Sequence, residues 1–383
     1  MQTHVPKLRI GVLGAGMIAT APFGVLPNLK FMRDRVEVVS IASRRREQAQ
    51  KVADAFGIPC VHADLDAMLA AGDLDAVVNL TPISTHYETS IRILEAGKHL
   101  ISEKPLATTM AQADELCAAA RRKGVHIIVA PVDMLAREWW QARRLVSEGA
   151  IGRPAFARVQ SSHSGPAAMA WPTDPTWFYR RGAGPMLDLG AYGLQRVTGI
   201  LGSAIRVSAF SGVTAPVRTV VGGIHDGLSI EVQEPDNNVL LLDFGDSVFA
   251  TVDVTYNVLA SRSPAMEVYG SEGVLIVHRA DSVGPRLEIF RRDAVAGLSG
   301  WITPAPVWLP EGPDRIAEIQ RGALVEHLVD CLDAGIEPAL SGDHARHVLE
   351  IMIAARESAA SGRAIELTSR FTLPPARANA RSS

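Results

Sequence analysis

The sequence predicts an α/β N-terminal domain built on a parallel sheet, followed by an α+β C-terminal domain built on a large, mainly antiparallel open sheet. Three observations carry this: a strict alternation of short apolar runs and helical patterns up to residue 130, a change of rhythm at Pro131, and a length of 383 residues, beyond the size at which one core keeps growing. The apolar runs are Leu8 to Leu13, Val36 to Ala42, Ala76 to Leu80, His99 to Ser102 and His126 to Ala130. Between them, Arg46 to Phe56, Thr85 to Ala96 and Met110 to Lys123 repeat apolar residues at three- and four-residue spacing, and Gly57, Gly97 and Gly124 stand where helices end. Past Pro131 one helix, about Glu138 to Glu148, gives way to strand patterns at Ala155 to Ser162, Asn238 to Phe244, Val248 to Tyr256 and Met266 to Val277, joined by turns such as Gly245-Asp246 and Gly270-Ser271-Glu272-Gly273. Two further helices, Arg321 to Ala334 and Asp343 to Ser361, close the chain. The expected division is residues 1–130, residues 131–370 and a tail, 371–383, whose composition after Pro374 is that of a disordered end.

Composition narrows the partners. With 47% hydrophobic and 21% charged residues and a net charge of −3, the chain offers no cationic field for nucleic acid or anionic lipid. The lysines all lie at or before Lys123, so a catalytic lysine must come from the first third. Three widely spaced cysteines, Cys60, Cys117 and Cys331, suggest neither disulfides nor a metal knuckle, and the N-terminal residues show no signal-type apolar stretch. The expectation is a cytoplasmic protein without a membrane span.

The first strand runs into Gly14-Ala15-Gly16-Met17-Ile18-Ala19, a G-x-G-x-x-A at the start of an expected helix. Gly14 permits the tight turn, Gly16 lets backbone approach a pyrophosphate, Ala19 allows close helix-sheet packing, and the helix dipole attracts the anion. In this context the pattern is the dinucleotide fingerprint of a Rossmann domain. At the end of the second strand, Ala42-Ser43-Arg44 lacks the carboxylate that binds an adenosine ribose 2′-hydroxyl. Ser43 and Arg44 suit a 2′-phosphate instead, since guanidinium pairs bidentately with phosphate oxygens, so NADP is preferred over NAD; a solvated helix start is the alternative reading of the arginines.

Three more patterns follow: Thr81-Pro82-Ile83-Ser84-Thr85-His86, Glu103-Lys104-Pro105, and Gly182-Ala183-Gly184-Pro185-Met186-Leu187-Asp188-Leu189-Gly190-Ala191-Tyr192. In this order and at these separations, from Leu8 to about Leu367, the chain resembles the glucose-fructose oxidoreductase and inositol dehydrogenase family, Gfo/Idh/MocA. The resemblance implies that Thr81, Pro82 and His86 line the nicotinamide side of the cleft, and that Glu103, Lys104 and Pro105 meet the nicotinamide ribose and the reacting carbon. Both motifs fall at carboxyl ends of parallel strands, where open α/β sheets bind ligands. Many family members carry His where this chain has Tyr192; the tyrosine looks like the branch with glucose-fructose oxidoreductase, anhydrofructose reductase and dihydrodiol dehydrogenase. Asp188 and Tyr192 stand four apart and would share a helix face. A tyrosine, with a pKa of about 10, serves as an acid at neutral pH, and Lys104 beside it would stabilise the phenolate and polarise a carbonyl. Asp188 would bind a substrate hydroxyl or orient its neighbours.

The implied activity is hydride transfer between NAD(P) and a secondary alcohol or ketone of a sugar, cyclitol or related small molecule. Two alternatives stand beside it: an NAD-dependent redox-neutral glycoside hydrolase or lyase, and a non-catalytic cofactor-binding sensor. Trp177 and Arg180, in an aromatic segment upstream of the glycine-rich turn, are candidate substrate contacts. His344 and His347, i and i+3 with Arg346 between them, lack a clear third ligand and read as a solvated helix face, so no metal is expected. An open sheet leaves apolar surface to cover, so a homodimer or homotetramer is expected.

Overall fold

In a computed structural model, described over residues 7–295, 297–305 and 320–374, the first half of the chain forms a six-stranded sheet. Its strands are β1 (Leu8–Leu13), β2 (Val36–Ala42), β3 (Cys60–His62), β4 (Ala76–Asn79), β5 (His99–Ser102) and β6 (Ile127–Val129), ordered β3-β2-β1-β4-β5-β6 and parallel throughout. Every residue of β4 is buried, as a parallel strand covered on both faces requires. The order reverses between β1 and β4, which places the loops after those strands, Gly14 onward and Thr81 onward, at the topological switch point. The covering helices are α1 (Met17–Thr20), α2 (Arg46–Phe56), α3 (Leu65–Ala70), α4 (His86–Glu95) and α5 (Met110–Lys123). The short pair β3 and α3 has no strong periodic pattern and was not expected.

The helix expected after the first glycine loop is a single turn. Pro22, Gly24 and Pro27 follow α1 closely, and the chain continues as a 3-10 helix over Leu26–Met32. Ala19 is fully buried there, in keeping with its expected packing role.

The second half, opened by α6 (Arg137–Ser147), is organised on nine strands: β7 (Pro154–Gln160), β8 (Arg206–Gly212), β11 (Asn237–Asp243), β12 (Phe249–Thr255), β13 (Met266–Gly270), β14 (Gly273–Val277), β15 (Leu287–Val295), β16 (Leu298–Ile302) and β17 (Ile365–Glu366). A separate hairpin pairs β9 (Val217–Thr219) with β10 (Ser229–Glu231). The large sheet is antiparallel except for the parallel pair β12 and β7. Alternation along β11 buries Asn238, Leu240 and Leu242 and exposes Val239 and Leu241. The inner face packs on α8 (Gly190–Leu201) and α10 (Gly342–Ser361); α7 (Gly184–Asp188) and α9 (Ala323–Ala334) complete the helices. The outer face carries Phe210, Val239, Leu241 and Phe249, all more than two-fifths exposed, with Phe210 opposite Val239.

His344 and His347 are not on a solvated face. Helix α10 packs against α5 and β6 as well as against α8 and β8, so it buries more than one stripe, and both histidines are buried. His344 Nε2 lies 2.8 Å from Thr198 Oγ1, whose own hydrogen goes to Leu194 O, and His347 Nε2 accepts from the Ala204 N–H at 3.0 Å; both rings pack on Phe371. Among the described residues no group of three or more His, Cys, Asp or Glu could hold a metal ion. Burial lowers His344 from an ordinary 6.5 to about 3 and His347 to about 4. Because the folded values lie below the unfolded one, these groups stabilise the fold above pH 6.5 and that stability is lost as pH falls toward 4. Each adds a slope of up to ~1.4 kcal/mol per pH unit in that window. Melting temperature followed from pH 7 to pH 4.5 should therefore fall, and His344→Gln should flatten the curve; an unchanged slope in that variant would contradict the assignment. The residues after Pro374, expected as a disordered tail, lie outside the described residues. No described helix is long and apolar enough to cross a membrane.

Candidate active site

The first loop is shaped for a dinucleotide. Gly14 has φ +113°, and a Cβ there would sit 2.8 Å from the Leu80 carbonyl oxygen, because the loops after β1 and β4 touch at the switch point. Gly16, at the start of α1, differs: its φ and ψ are −88° and −169°, open to any residue, and a Cβ would meet no protein atom within 4 Å. The space in front of Gly16 is open where a pyrophosphate would lie, so the loop fits a nicotinamide dinucleotide. Ser43 is half-buried and Arg44 exposed just past β2.

The loop after β4 is braced by Asn79. Its Oδ1 accepts from the Thr81 N–H and hydroxyl at 3.2 and 2.7 Å, and its Nδ2 donates to Thr89 and Ser90. Pro82 is exposed. His86 does not line the cleft as expected: it is buried, with Nδ1 2.8 Å from the Pro105 carbonyl and Nε2 2.8 Å from the Thr81 carbonyl. It is a strut joining the Thr81 and the Glu103-Lys104-Pro105 motifs.

Lys104 and Asp188 meet across the two domains. Lys104 Nζ donates to Asp188 Oδ1 at 2.7 Å and to the Asp188 carbonyl at 2.8 Å, leaving one N–H without a partner among the described residues, and it lies 5.2 Å from the centre of the Tyr192 ring. The expected shared helix is interrupted. Helix α7 ends at Asp188 and α8 starts at Gly190; Tyr192 N–H bonds back only to Leu189 O, which frees the Asp188 carbonyl for Lys104. Ser161 drives the break. Its hydroxyl donates to Leu189 O at 2.6 Å and accepts from the Gly193 N–H at 3.0 Å, inserting into the helical ladder. Gly193 makes room for it, since a Cβ there would lie 2.6 Å from Ser161 Cβ.

Three residues of the site carried no signal in the sequence. Tyr256, just after β12, donates its hydroxyl to Asp188 Oδ2 at 2.9 Å; burial, reinforced by Asp188, pushes its pKa well above the ordinary range, so it stays protonated. His163, just after β7, stacks on Tyr256, and its Nδ1 accepts from the Gly165 N–H, which leaves the proton of the neutral ring on Nε2. Burial lowers the His163 pKa, with Lys104 adding to the effect against Asp188. Arg321, just before α9, donates from Nε to Glu103 Oε1 at 2.6 Å and from Nη2 to the Tyr192 hydroxyl at 2.9 Å. A pattern within one segment could not reveal a contact 129 residues apart.

The charges are settled by pairing. Burial pulls the Lys104 ammonium down, but Asp188 and Tyr192 outweigh it and hold it above its ordinary value. Burial pushes Glu103 up, and Arg321 and Lys104 overcome it, so Glu103 is a carboxylate. Each Asp188 carboxylate oxygen accepts one bond, Oδ1 from Lys104 and Oδ2 from Tyr256, so Asp188 holds Lys104 and keeps acceptor capacity for a further donor. Trp177 stacks on Phe178 at 3.7 Å and is 45% exposed, and Arg180 is exposed; neither makes a polar contact with the Lys104, Asp188 or Tyr192 group among the described residues. The buried Tyr179 between them packs edge-on against Tyr256, the donor to Asp188.

A dinucleotide loop at a switch point, with a buried ammonium and a phenol beside it on a second domain, defines a nicotinamide-dependent oxidoreductase. Comparison with known proteins agrees. The NAD-binding Rossmann domain of the Gfo/Idh/MocA oxidoreductase family matches residues 8–130, and the family's C-terminal domain matches residues 139–276. D-apiose dehydrogenase of Paraburkholderia graminis is 28% identical over 98% of this chain and 93% of its own length. A dTDP-3,4-didehydro-2,6-dideoxy-alpha-D-glucose 3-reductase of Streptomyces violaceoruber is 31% identical over 73% of this chain and 75% of its own. Among solved structures, a levoglucosan dehydrogenase in complex with NADH superposes with a TM-score of 0.79 at 22% identity, covering 95% of this chain and 100% of that one. The chain belongs to the Gfo/Idh/MocA oxidoreductase family.

Proposed function

We propose that the protein transfers a hydride between a nicotinamide cofactor, preferentially NADP, and a secondary alcohol or ketone of a sugar, cyclitol or related polyol. The observation that carries this reading is the meeting of Lys104, Asp188 and Tyr192 beside the cofactor loop. A nicotinamide bound there supplies or accepts the hydride. Lys104, fixed by two bonds to Asp188, turns its free N–H to the substrate oxygen and stabilises the negative charge that grows on it. Tyr192 gives its proton to that oxygen during reduction and takes one from the alcohol during oxidation. Asp188, itself held by Tyr256, keeps Lys104 in place. His163 offers its Nε2–H to a second hydroxyl of the substrate, and Thr81, Pro82 and Glu103 flank the nicotinamide half of the cofactor. Trp177 and Arg180, on the rim, are candidates for the outer part of a larger substrate. The relatives' names, an apiose dehydrogenase and a sugar-nucleotide reductase, support a carbohydrate. Tyr192 in the place of histidine supports the tyrosine branch.

Neither alternative is favoured by an observation of this site. A sensor would have no use for an assembled proton donor, and nothing in the arrangement marks a leaving aglycone. The cysteine pattern supports a cytoplasmic setting. The exposed row of Phe210, Val239, Leu241 and Phe249 supports pairing of two open sheets in a homodimer or homotetramer. We place the domain boundary at residues 130 and 131.

The test is absorbance at the reduced-nicotinamide band across a panel of sugars, cyclitols and their ketones, with NADP and NAD in parallel. A net change with one substrate establishes the reading; release of an aglycone without net change would replace it with the redox-neutral hydrolase. Arg44→Asp should weaken NADP binding by about 10- to 100-fold, the loss of one or two charge-assisted hydrogen bonds, and leave NAD binding similar or stronger. Unchanged NADP affinity would refute the preference.

A further inference from the structure

We propose that Arg321 positions the proton carrier of the reaction, holding Tyr192 by its hydroxyl oxygen and tying it through Glu103 to the wall of the nicotinamide site. The inference rests on the hydride-transfer reading and adds to it a residue that no motif of the family resemblance includes.

Three contacts converge on this residue. Arg321 Nη2 donates to the Tyr192 hydroxyl, Nε donates to Glu103 Oε1, and the backbone N–H donates to the Phe23 carbonyl at 2.9 Å. One arginine thus joins the loop that follows the dinucleotide turn, the carboxylate beside Lys104, and the phenol on the second domain. Its side chain is only 11% exposed, and so is that of Glu103, so the pair is shielded from solvent. Glu103 Oε2 has only a long 3.4 Å contact with the Lys104 N–H, which leaves it able to accept from a cofactor hydroxyl.

The consequence for Tyr192 is directional. An arginine only donates, so the Tyr192 oxygen must accept from it, and the phenol's own hydrogen points elsewhere, with no partner among the described residues. In reduction the Tyr192 O–H bond breaks as an O–H bond forms at the substrate oxygen, whose carbon takes the hydride from the reduced nicotinamide. The phenolate left behind faces the Arg321 guanidinium. In oxidation the same phenolate takes the alcohol proton while the hydride leaves for the oxidised nicotinamide. The charged groups facing Tyr192 are Arg321 from the segment before α9 and Lys104 from the loop after β5, each partnered by a carboxylate, Glu103 and Asp188. Lys104 lies over the ring, whereas among the described residues only Arg321 bonds the oxygen.

The experiment compares the full-length wild type with Arg321→Met and Arg321→Lys, with Tyr192→Phe as the marker. Without turnover, the near-ultraviolet tyrosinate titration is recorded, and the transition missing in Tyr192→Phe is assigned to that residue. In Arg321→Met this transition moves to higher pH by about one unit or more, as loss of a close cation requires. The rise of kcat/KM with pH in the oxidation direction moves with it, and kcat falls more than cofactor affinity. Arg321→Lys, which keeps the charge but cannot span both partners, gives a smaller shift and so reads the effect even if the methionine variant does not fold. A transition and pH profile that stay in place in both variants, with only the melting temperature lowered, would make Arg321 merely structural and overturn the proposal. If the wild type turns over no sugar or polyol, the hydride-transfer reading fails, while the tyrosinate titration still decides the role of Arg321 at this phenol.

Discussion

Lys104→Met should lower kcat by about 10²- to 10³-fold while leaving cofactor affinity within a few-fold of wild type. The ammonium is the only cation with a free N–H among the described groups that touch Asp188, and its removal takes away the donor aimed at the developing oxyanion. The effect should fall on the chemical step, because the pyrophosphate is expected at the Gly14 to Gly16 turn rather than at Lys104. Ser161 holds the α7 to α8 break and Asp188 would keep its bond from Tyr256, so the break should survive and the melting temperature should change modestly. Single-turnover kinetics with cofactor prebound separate these effects. A loss of less than tenfold, or a loss seen only in cofactor affinity, would show that Lys104 is structural.

The second large effect is expected from the pair of loop glycines, which should fail in different ways. Gly16→Ala adds a methyl that meets no protein atom and needs no unusual backbone, so the melting temperature of the cofactor-free protein should be unchanged. Its methyl stands where the pyrophosphate must approach the backbone, and cofactor affinity should fall by about 10- to 100-fold. Gly14→Ala places a Cβ 2.8 Å from the Leu80 carbonyl at a positive φ, so it should lose about 1–3 kcal/mol of stability as well as cofactor binding. Calorimetry for affinity and thermal melting for stability check both. Equal melting temperatures for the two variants, or an unaltered affinity in Gly16→Ala, would contradict the placement of the dinucleotide.

What could be read from the sequence was local and periodic. The strands from Leu8, Val36 and His99 and the helices from Arg46 and Met110 begin and end where the apolar period and the capping residues predict. The strands β8, β15 and β16 passed unnoticed, because Arg206–Gly212 alternates weakly, β15 is exposed from Arg291 to Asp293, and β16 exposes most of its side chains. At the site, Lys104, Asp188 and Tyr192 were found because they lie in compact motifs. Their geometry was not legible, since the break at Leu189 is made by Ser161, a residue 28 positions upstream on another element. Tyr256, His163 and Arg321 reach the site from β12, the end of β7 and the start of α9, and no short pattern marks a residue whose role is set by a distant partner. His344 and His347 show the converse: their spacing invited a surface reading, and only the packing of α10 on several sides shows that they fill the core.

In the proposed reaction, proton and charge reach one substrate oxygen from Tyr192 and from Lys104, which Asp188 anchors. It is tested most directly by single-turnover reduction of a sugar ketone found in the panel, in light and heavy water, by wild type and Tyr192→Phe with reduced cofactor prebound. A solvent isotope effect on the hydride step is expected in wild type, with a rate about 10²- to 10⁴-fold lower in Tyr192→Phe. A variant that transfers hydride at the wild-type rate, with the same isotope effect, would contradict it.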